Sequence, residues 1–234
     1  MESEFLDLRC TPESLDLCIV RSSIQRAIRE CAPMLNGTLL DIGCGHMPYK
    51  SMLLSHPSKA TKYIGLDLEL AKYGVRPDLV WNGECIPLPD GTIDCALATE
   101  VFEHCAQPEV VMNEIHRILK PNGMLFFTVP FLWPLHEVPH DEYRYTPFAL
   151  ERLLRNSCFA EITLKALGGW DASLAQMIGL WVRRRSLSPV KRKLSSMVAA
   201  LIVRTLQRSD VRPTRFNEST MITGLSGTAR RGAL

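Results

Sequence analysis

Residues 38–49 read Thr38-Leu39-Leu40-Asp41-Ile42-Gly43-Cys44-Gly45-His46-Met47-Pro48-Tyr49, and the fold follows from how that stretch is read. Thr38 to Ile42 has the apolar, β-branched content of a buried strand, and Gly43 and Gly45 then let the backbone bend tightly and lie against a ligand. This is the form of a nucleotide-binding turn. The third glycine of a dinucleotide fingerprint is missing, with Pro48 in its place. Asp41, two residues before the first glycine, can answer a positive charge on the ligand. About one helix further on, Lys62-Tyr63-Ile64-Gly65-Leu66-Asp67 is a second apolar run ending in an acid, where ribose hydroxyls need a bidentate acceptor. Together the two acids favour a nucleoside that carries a cation.

Working outward, Ile19 to Leu35 has Ile24, Ala27, Ile28 and Cys31 at helical spacing, and Asn36-Gly37 stops it. A short helix over Tyr49 to Leu54 separates the first two strands, which makes a parallel crossover unit. Further strands are predicted at Leu79–Trp81, Ile93–Ala98, Met124–Val129 and Ile162–Leu167. Between them a helix is expected over Glu109 to Leu119, closed by Pro121-Asn122-Gly123, and another opens at Thr146-Pro147 with Leu150, Leu153 and Leu154 on its apolar face. The alternation of strands and helices indicates an α/β fold with an open, doubly wound, mostly parallel sheet.

The chain has 234 residues and a net charge of only +2. That charge is uneven: residues 183 to 234 hold 12 Lys or Arg against 2 Asp or Glu, whereas residues 1 to 182 hold 15 against 23. The eight cysteines show no Cys-x-x-Cys pair and no zinc-finger spacing, so a reduced setting is expected rather than a disulfide framework, and Cys44 reads as a packing residue. Met1-Glu2-Ser3-Glu4-Phe5 lacks the apolar core of a secretion signal, and no run is long enough to span a bilayer. A soluble, cytoplasmic protein, at most peripheral to a membrane, is the expectation.

Several ordered pieces resemble the class I S-adenosylmethionine-dependent methyltransferases, in the type 11 branch. They are Leu40-Asp41-Ile42-Gly43-Cys44-Gly45, Gly65-Leu66-Asp67, Ile86-Pro87-Leu88-Pro89-Asp90-Gly91-Thr92-Ile93-Asp94, Val101-Phe102-Glu103-His104, and Glu114-Ile115-His116-Arg117-Ile118-Leu119-Lys120-Pro121-Asn122-Gly123. The resemblance spans about Leu35 to Trp170. It implies a Rossmann-like methyltransferase fold with S-adenosylmethionine as cofactor: Gly43, Cys44 and Gly45 beside its amino-acid end, Asp67 on the ribose and Leu68 on the adenine. Thr99, at the end of the fourth strand, is expected to face the cofactor. The family usually has an acid on the adenine amino group where this chain has Asn82, which leaves Asn82-Gly83-Glu84 as the polar contact. Glu103-His104 is read as packing beside the cofactor. A nicotinamide-dependent oxidoreductase is disfavoured by Asp41 and the absent third glycine.

Substrate chemistry is expected in the segment Phe131 to Tyr145, which combines titratable and aromatic groups. His140 is the favoured base because Asp141 adjoins it and could set its tautomer, with His136 as the second candidate. His136 and His140 stand four apart, but Pro139 argues against a helix and no third ligand is evident, so no metal is expected. The motifs of amino-group methylases and cytosine-carbon methylases are absent, which leaves oxygen of a small-molecule, sugar or lipid-like acceptor.

Three segments follow from this reading: a helical lead-in at 1–36, a cofactor-binding domain at 37–170, and a basic, largely helical extension at 171–234 with a final strand near 219–224. In the extension, Ala172 to Val182 and Leu194 to Leu206 read as apolar helices joined by a basic hinge. They either pack on the sheet edge or meet an anionic membrane surface through residues 183–204. Nucleic acid is disfavoured by the scarcity of aromatic residues there. A catalytically silent domain acting as a binding or membrane-surface adaptor is the competing functional class.

Overall fold

The computed structural model describes residues 9–68 and 76–232, so the acidic start at 1–5 lies outside the described residues. The chain divides into two compact units. One comprises Ile28–Pro130, Leu135–Leu164 and the chain from Ser226 onward; the other comprises the residues up to Ala27, Phe131–Pro134 and Lys165–Leu225.

The first unit is built on a seven-stranded sheet of order β3-β2-β1-β4-β5-β7-β6. Its strands are β1 (Asn36–Ile42), β2 (Lys59–Leu68), β3 (Leu79–Trp81), β4 (Ile93–Thr99), β5 (Leu119–Pro130), β6 (Phe159–Ala166) and β7 (Gly224–Arg231). The pairs among β1 to β5 are parallel. The near-continuous apolar runs of β1 and β4 are what a doubly covered parallel sheet requires. β7 runs the other way: just past the end of β5, Phe131 N–H donates to Thr223, beside the start of β7 (3.0 Å). At the opposite end Arg230 reaches the Asn122 carbonyl near the start of β5 (2.8 Å). This is the predicted doubly wound, mostly parallel α/β architecture.

Helix α1 (Cys18–Cys31) belongs for most of its length to the other unit, whereas α2 (Lys50–Leu53), α3 (Pro108–Ile118) and α4 (Pro147–Asn156) connect the strands. α4 starts as its sequence demands, with Thr146 Oγ1 accepting from Ala149 N–H and Pro147 in the first turn. Pro121-Asn122-Gly123 departs from expectation. It does not end a helix but forms a bulge at the start of β5, where Asn122 takes φ 63° and the pairing with β4 slips between Ile93 and Cys95. Gly123 is required there, because a Cβ would stand 2.8 Å from the Lys120 carbonyl.

Two family motifs prove to be braces. Asp94 accepts from Thr38 N–H and from Lys120 Nζ, each at 2.8 Å, which ties β1, β4 and β5 together. Arg117 donates to Glu114 (2.8 Å), Asp90 (2.7 Å) and the carbonyls of Leu88 (2.9 Å) and Ile86 (3.0 Å), so it clamps the proline-rich loop onto α3.

The second unit is led by α5 (Trp170–Arg184) and α6 (Pro189–Ser209). Leu15, Cys18, Ile19, Ala172, Ala175, Ala199, Ala200 and Val203 form its core. Two expectations are corrected here. Lys191, Arg192 and Lys193 lie within α6, so the hinge is only residues 185–188. The final strand is Gly224–Arg231, not 219–224. A third concerns redox state: Cys10 and Cys18 form a disulfide across the turn at residues 12–17, a spacing that matches no recognisable motif.

Removing the Arg117 clamp tests the bracing. Arg117→Met is expected to cost about 2 kcal/mol in urea unfolding at neutral pH, and to raise proteolysis within residues 82–91 first.

Candidate functional site

Strands β1, β2 and β4 end level with one another: Ile42 pairs with Leu66 and with Ala98. The residues that follow each strand therefore meet at one edge of the sheet, where ligands of open parallel sheets bind. The turn after β1 is held by Gly43 and Cys44 N–H groups donating to the Leu66 carbonyl (2.8 and 3.1 Å). Gly43 and Gly45 have φ of 66° and 49°, a region that favours glycine. A Cβ on Gly43 would lie 2.7 Å from Val101 Cγ2, so the turn packs directly against the segment after β4.

Asp67 faces this turn. Its Oδ2 accepts from Gly45 N–H and its Oδ1 from Leu68 N–H, both at 2.8 Å. Leu68 is half exposed at the end of β2, and a Cβ on Gly83 would sit 3.7 Å from its Cδ2. Asn82 Oδ1 is committed to its own turn, accepting from Glu84 and Cys85 N–H groups (3.0 and 2.8 Å), while Glu84 is exposed. Thr99 pairs with Thr128 at the carboxyl end of β4 and is partly exposed. Cys44 is buried, and a Cβ on Gly65 would meet its Sγ at 2.9 Å. Burial and the nearby Asp41, Asp67 and Asp78 push its thiol up to about 12, so it packs and does not react.

Asp41 is 2% exposed. Tyr63 Oη donates to its Oδ2, and its Oδ1 has no hydrogen-bond partner among the described residues. Burial raises its pKa to about 7 against the opposing hydrogen bond from Tyr63, with Asp67 adding to the rise. A buried acceptor left open beside a glycine turn fits a ligand that brings a cation or an N–H group.

The substrate segment is arranged differently from expectation. Asp141 does not engage His140. Its carboxylate takes the Arg144 guanidinium in a fork (2.7 and 2.8 Å), accepts from His136 N–H (3.0 Å), and lies 3.3 Å from His136 Nδ1. Arg144 holds Asp141 well below the usual carboxylate range. His140 is exposed and contributes its carbonyl, which accepts from His104 Nδ1–H (2.8 Å). The carboxylate partner expected for His140 therefore belongs to His136, whose pKa burial lowers. Sequence adjacency misleads here because residues 137–140 form a turn closed by His140 N–H on the Glu137 carbonyl (3.0 Å), which brings His136 to Asp141.

The structure also gathers acids that motif spacing alone does not single out. Glu100 follows β4 with φ 54°, accepts from Thr128 Oγ1 (2.8 Å) and is pushed up by burial to about 7. Glu103, in the short helical turn Phe102–His104, is 0% exposed. The Glu-x-x-Glu-His spacing is the available signal. It is ambiguous in the sequence, because Glu103 could equally point to solvent.

The methyltransferase-domain family of type 11 matches residues 40–127. Among curated proteins, an uncharacterized 37.1 kDa protein in a Streptomyces fradiae transposon is 29% identical over 50% of this chain and 38% of its own length. The malonyl-acyl-carrier-protein O-methyltransferase of Serratia marcescens is 25% identical over 43% of this chain and 41% of its own. The chain thus spans about two fifths of the length of these relatives. Among solved structures, a methyltransferase from Thermotoga maritima superposes with TM-score 0.54 at 18% identity, covering 98% of this chain and 94% of that one. The cyclase SpnF superposes with TM-score 0.58 at 18% identity, covering 92% and 82%. At such identities the agreement is one of fold.

Asp41 gives a pH signature. Its folded value lies above the ordinary 3.8, so the folded protein binds the proton more tightly than the unfolded chain. Stability of the ligand-free protein is expected to fall as pH rises from about 4 to about 7. Asp41→Asn should remove that part of the slope and raise stability at about pH 8 by roughly 1–3 kcal/mol, read by thermal unfolding across the range.

Proposed function

We propose that this chain is a class I S-adenosylmethionine-dependent methyltransferase of the type 11 branch, whose family model matches residues 40–127, and that it transfers a methyl group to an oxygen of a lipid-like or otherwise amphiphilic acceptor. The observation that carries the methyl-donor half is the open Oδ1 of buried Asp41 beside the Gly43-Cys44-Gly45 turn and Asp67. When bound, S-adenosylmethionine supplies a methyl group activated by a neighbouring sulfonium. The residues of the cradle suit it. Asp41 meets positive charge, the Gly43-Cys44-Gly45 backbone permits close approach, and Asp67 accepts from two ribose hydroxyls. Leu68 and Gly83 offer an apolar surface to the adenine. Asn82, with its oxygen already used, offers only its amide donor, so Glu84 is the acceptor for the adenine amino group. Thr99 borders the reacting end.

The acceptor oxygen is placed beside the group after β4 and β5: Glu103, His104 and His136, with Asp141 and Arg144 holding His136. His140 is left as a backbone contact. An intact acid-glycine-acid set argues against a silent domain.

The amphiphilic character of the acceptor rests on the second unit. α6 places Ala199, Ala200 and Val203 inward, while the larger Val190, Leu194, Met197, Val198 and Leu201 are exposed at helical spacing. α5 does the same with Leu174, Met177 and Trp181. Arg183, Arg184 and Arg185 precede this stripe and Lys191, Arg192 and Lys193 open it. No helix among the described residues is long and apolar enough to cross a membrane. An apolar stripe flanked by basic side chains suits the face of an anionic bilayer, where each cation contributes on the order of 1 kcal/mol.

Calorimetric titration should give micromolar binding of S-adenosylmethionine and of its demethylated product, lost in Asp67→Ala and weakened in Asp41→Asn, with none for NAD. Binding of NAD alone would reject the methyl-donor assignment. In vesicle pelleting, the protein should sediment with anionic but not neutral vesicles, less at high salt, and Leu194→Asp/Leu201→Asp should abolish it. Sedimentation indifferent to lipid charge and to these changes would remove the membrane from the proposal.

A further inference from the structure

The Glu103 carboxylate is buried at 0% exposure, and neither of its oxygens has a hydrogen-bond partner among the described residues. An uncompensated buried carboxylate costs several kcal/mol, and Glu103 is accordingly pushed well above the usual range by burial and by Glu100. Arg144 opposes that rise only through space. Arg144 already directs its fork at Asp141. Two imidazoles adjoin the carboxylate instead. His104 Nε2 stands 3.7 Å from Glu103 Oε1, and the rings of His104 and His136 meet edge-on with centroids 4.7 Å apart. One donor atom from each of Glu103, His104 and His136 lies within 4.8 Å of the other two.

We propose that Glu103, His104 and His136 bind a divalent first-row transition ion. Two imidazole nitrogens and one carboxylate oxygen, with no thiolate, suit Zn²⁺, Co²⁺, Mn²⁺ or Fe²⁺ over Mg²⁺ and Ca²⁺, which favour all-oxygen sites. The surroundings are already those of metal-binding histidines. His104 gives its Nδ1–H to the His140 carbonyl, which leaves Nε2 with a lone pair facing Glu103, and His136 has Asp141 at 3.3 Å. Ligands at about 2.0–2.2 Å from an ion would draw the donors together by roughly 1 Å, a side-chain adjustment for His104 and His136, both partly exposed.

Three protein ligands leave a position open. The site follows β4 directly, and Val101, two residues before Glu103, packs on the Gly43 turn. On the methyl-transfer reading, which this role presupposes, the ion takes an acceptor oxygen in that position. It lowers the hydroxyl pKa so that the proton leaves to water, and the oxygen lone pair then forms the new O–C bond as the C–S bond breaks. This also explains why Glu103 is kept dry: the ion, not solvent, supplies its counter-charge.

The test uses the full chain without an affinity tag, stripped with chelator and titrated with Zn²⁺, Co²⁺, Mn²⁺ and Mg²⁺ by calorimetry, with the visible spectrum of the Co²⁺ form. One ion per chain, a transition ion preferred over Mg²⁺, and at least tenfold weaker binding in Glu103→Gln, His104→Gln and His136→Asn are expected. The exposed His56→Ala should bind as the parent does. Circular dichroism checks folding, and should Glu103→Gln not fold, the two histidine variants decide. Absence of binding, or equal affinity in the folded variants and the parent, would overturn the site. S-adenosylmethionine titration of the stripped protein is read separately: its failure would overturn methyl transfer, while the ion site would still stand or fall on the metal titrations.

Discussion

The seating of β1 between β2 and β4 is the constraint from which the rest follows. Ile42 opposes Leu66 on one side and Ala98 on the other, so three parallel strands end at one level. Parallel pairing aligns the carboxyl ends and directs the chain away from them through crossovers. Whatever follows Ile42, Leu66 and Ala98 is therefore brought together, although those residues are far apart in the chain. The glycine turn, Asp67 and residues 99–104 are neighbours for that reason. Asp94 secures the arrangement from the opposite ends of the strands, joining the start of β1 to Lys120.

The acids divide by how they are answered. Asp94, Glu114 and Asp141 each have a lysine or arginine within 2.8 Å and brace loops. Asp41 and Glu103 are buried, and Glu100 partly so, near the carboxyl ends of the strands without such a contact, and loss of solvent raises each of them. Structural acids gain from their partners in the folded chain, whereas these three make the ligand-free fold less stable. Acids kept at that cost would be answered by an external group completing the proposed site.

The second unit inverts the usual helix pattern. Mostly small residues face inward along α5 and α6, with Leu180, Val182 and Val203 among them, and many of the bulky aliphatic side chains are left outside. Were α6 an ordinary surface helix, Leu194 and Leu201 would be the buried positions and the alanines the exposed ones. Its amphipathic face therefore looks outward, and the basic residues around the hinge give that face a charge as well as a hydrophobic character.

The strand-turn run at 38–49, with the acid-ended strand that closes at Asp67, made the sheet and the glycine turn at its edge legible unaided, because Gly43, Gly45, Asp41 and Asp67 act through local backbone conformation and regular strand spacing. Elements with strong periodicity, such as α3 and α4, were equally legible. The sequence by itself could not choose which acid meets which histidine. Asp141 adjoins His140 in the chain and yet serves His136, and His136 in turn joins the adjacent pair Glu103-His104 from a distant segment. Nor could it show that Pro121-Asn122-Gly123 is a bulge within β5 or that Cys10 meets Cys18. Backbone conformation is encoded within a few residues, whereas side-chain partnership depends on how distant segments pack, and only the tertiary structure decides that.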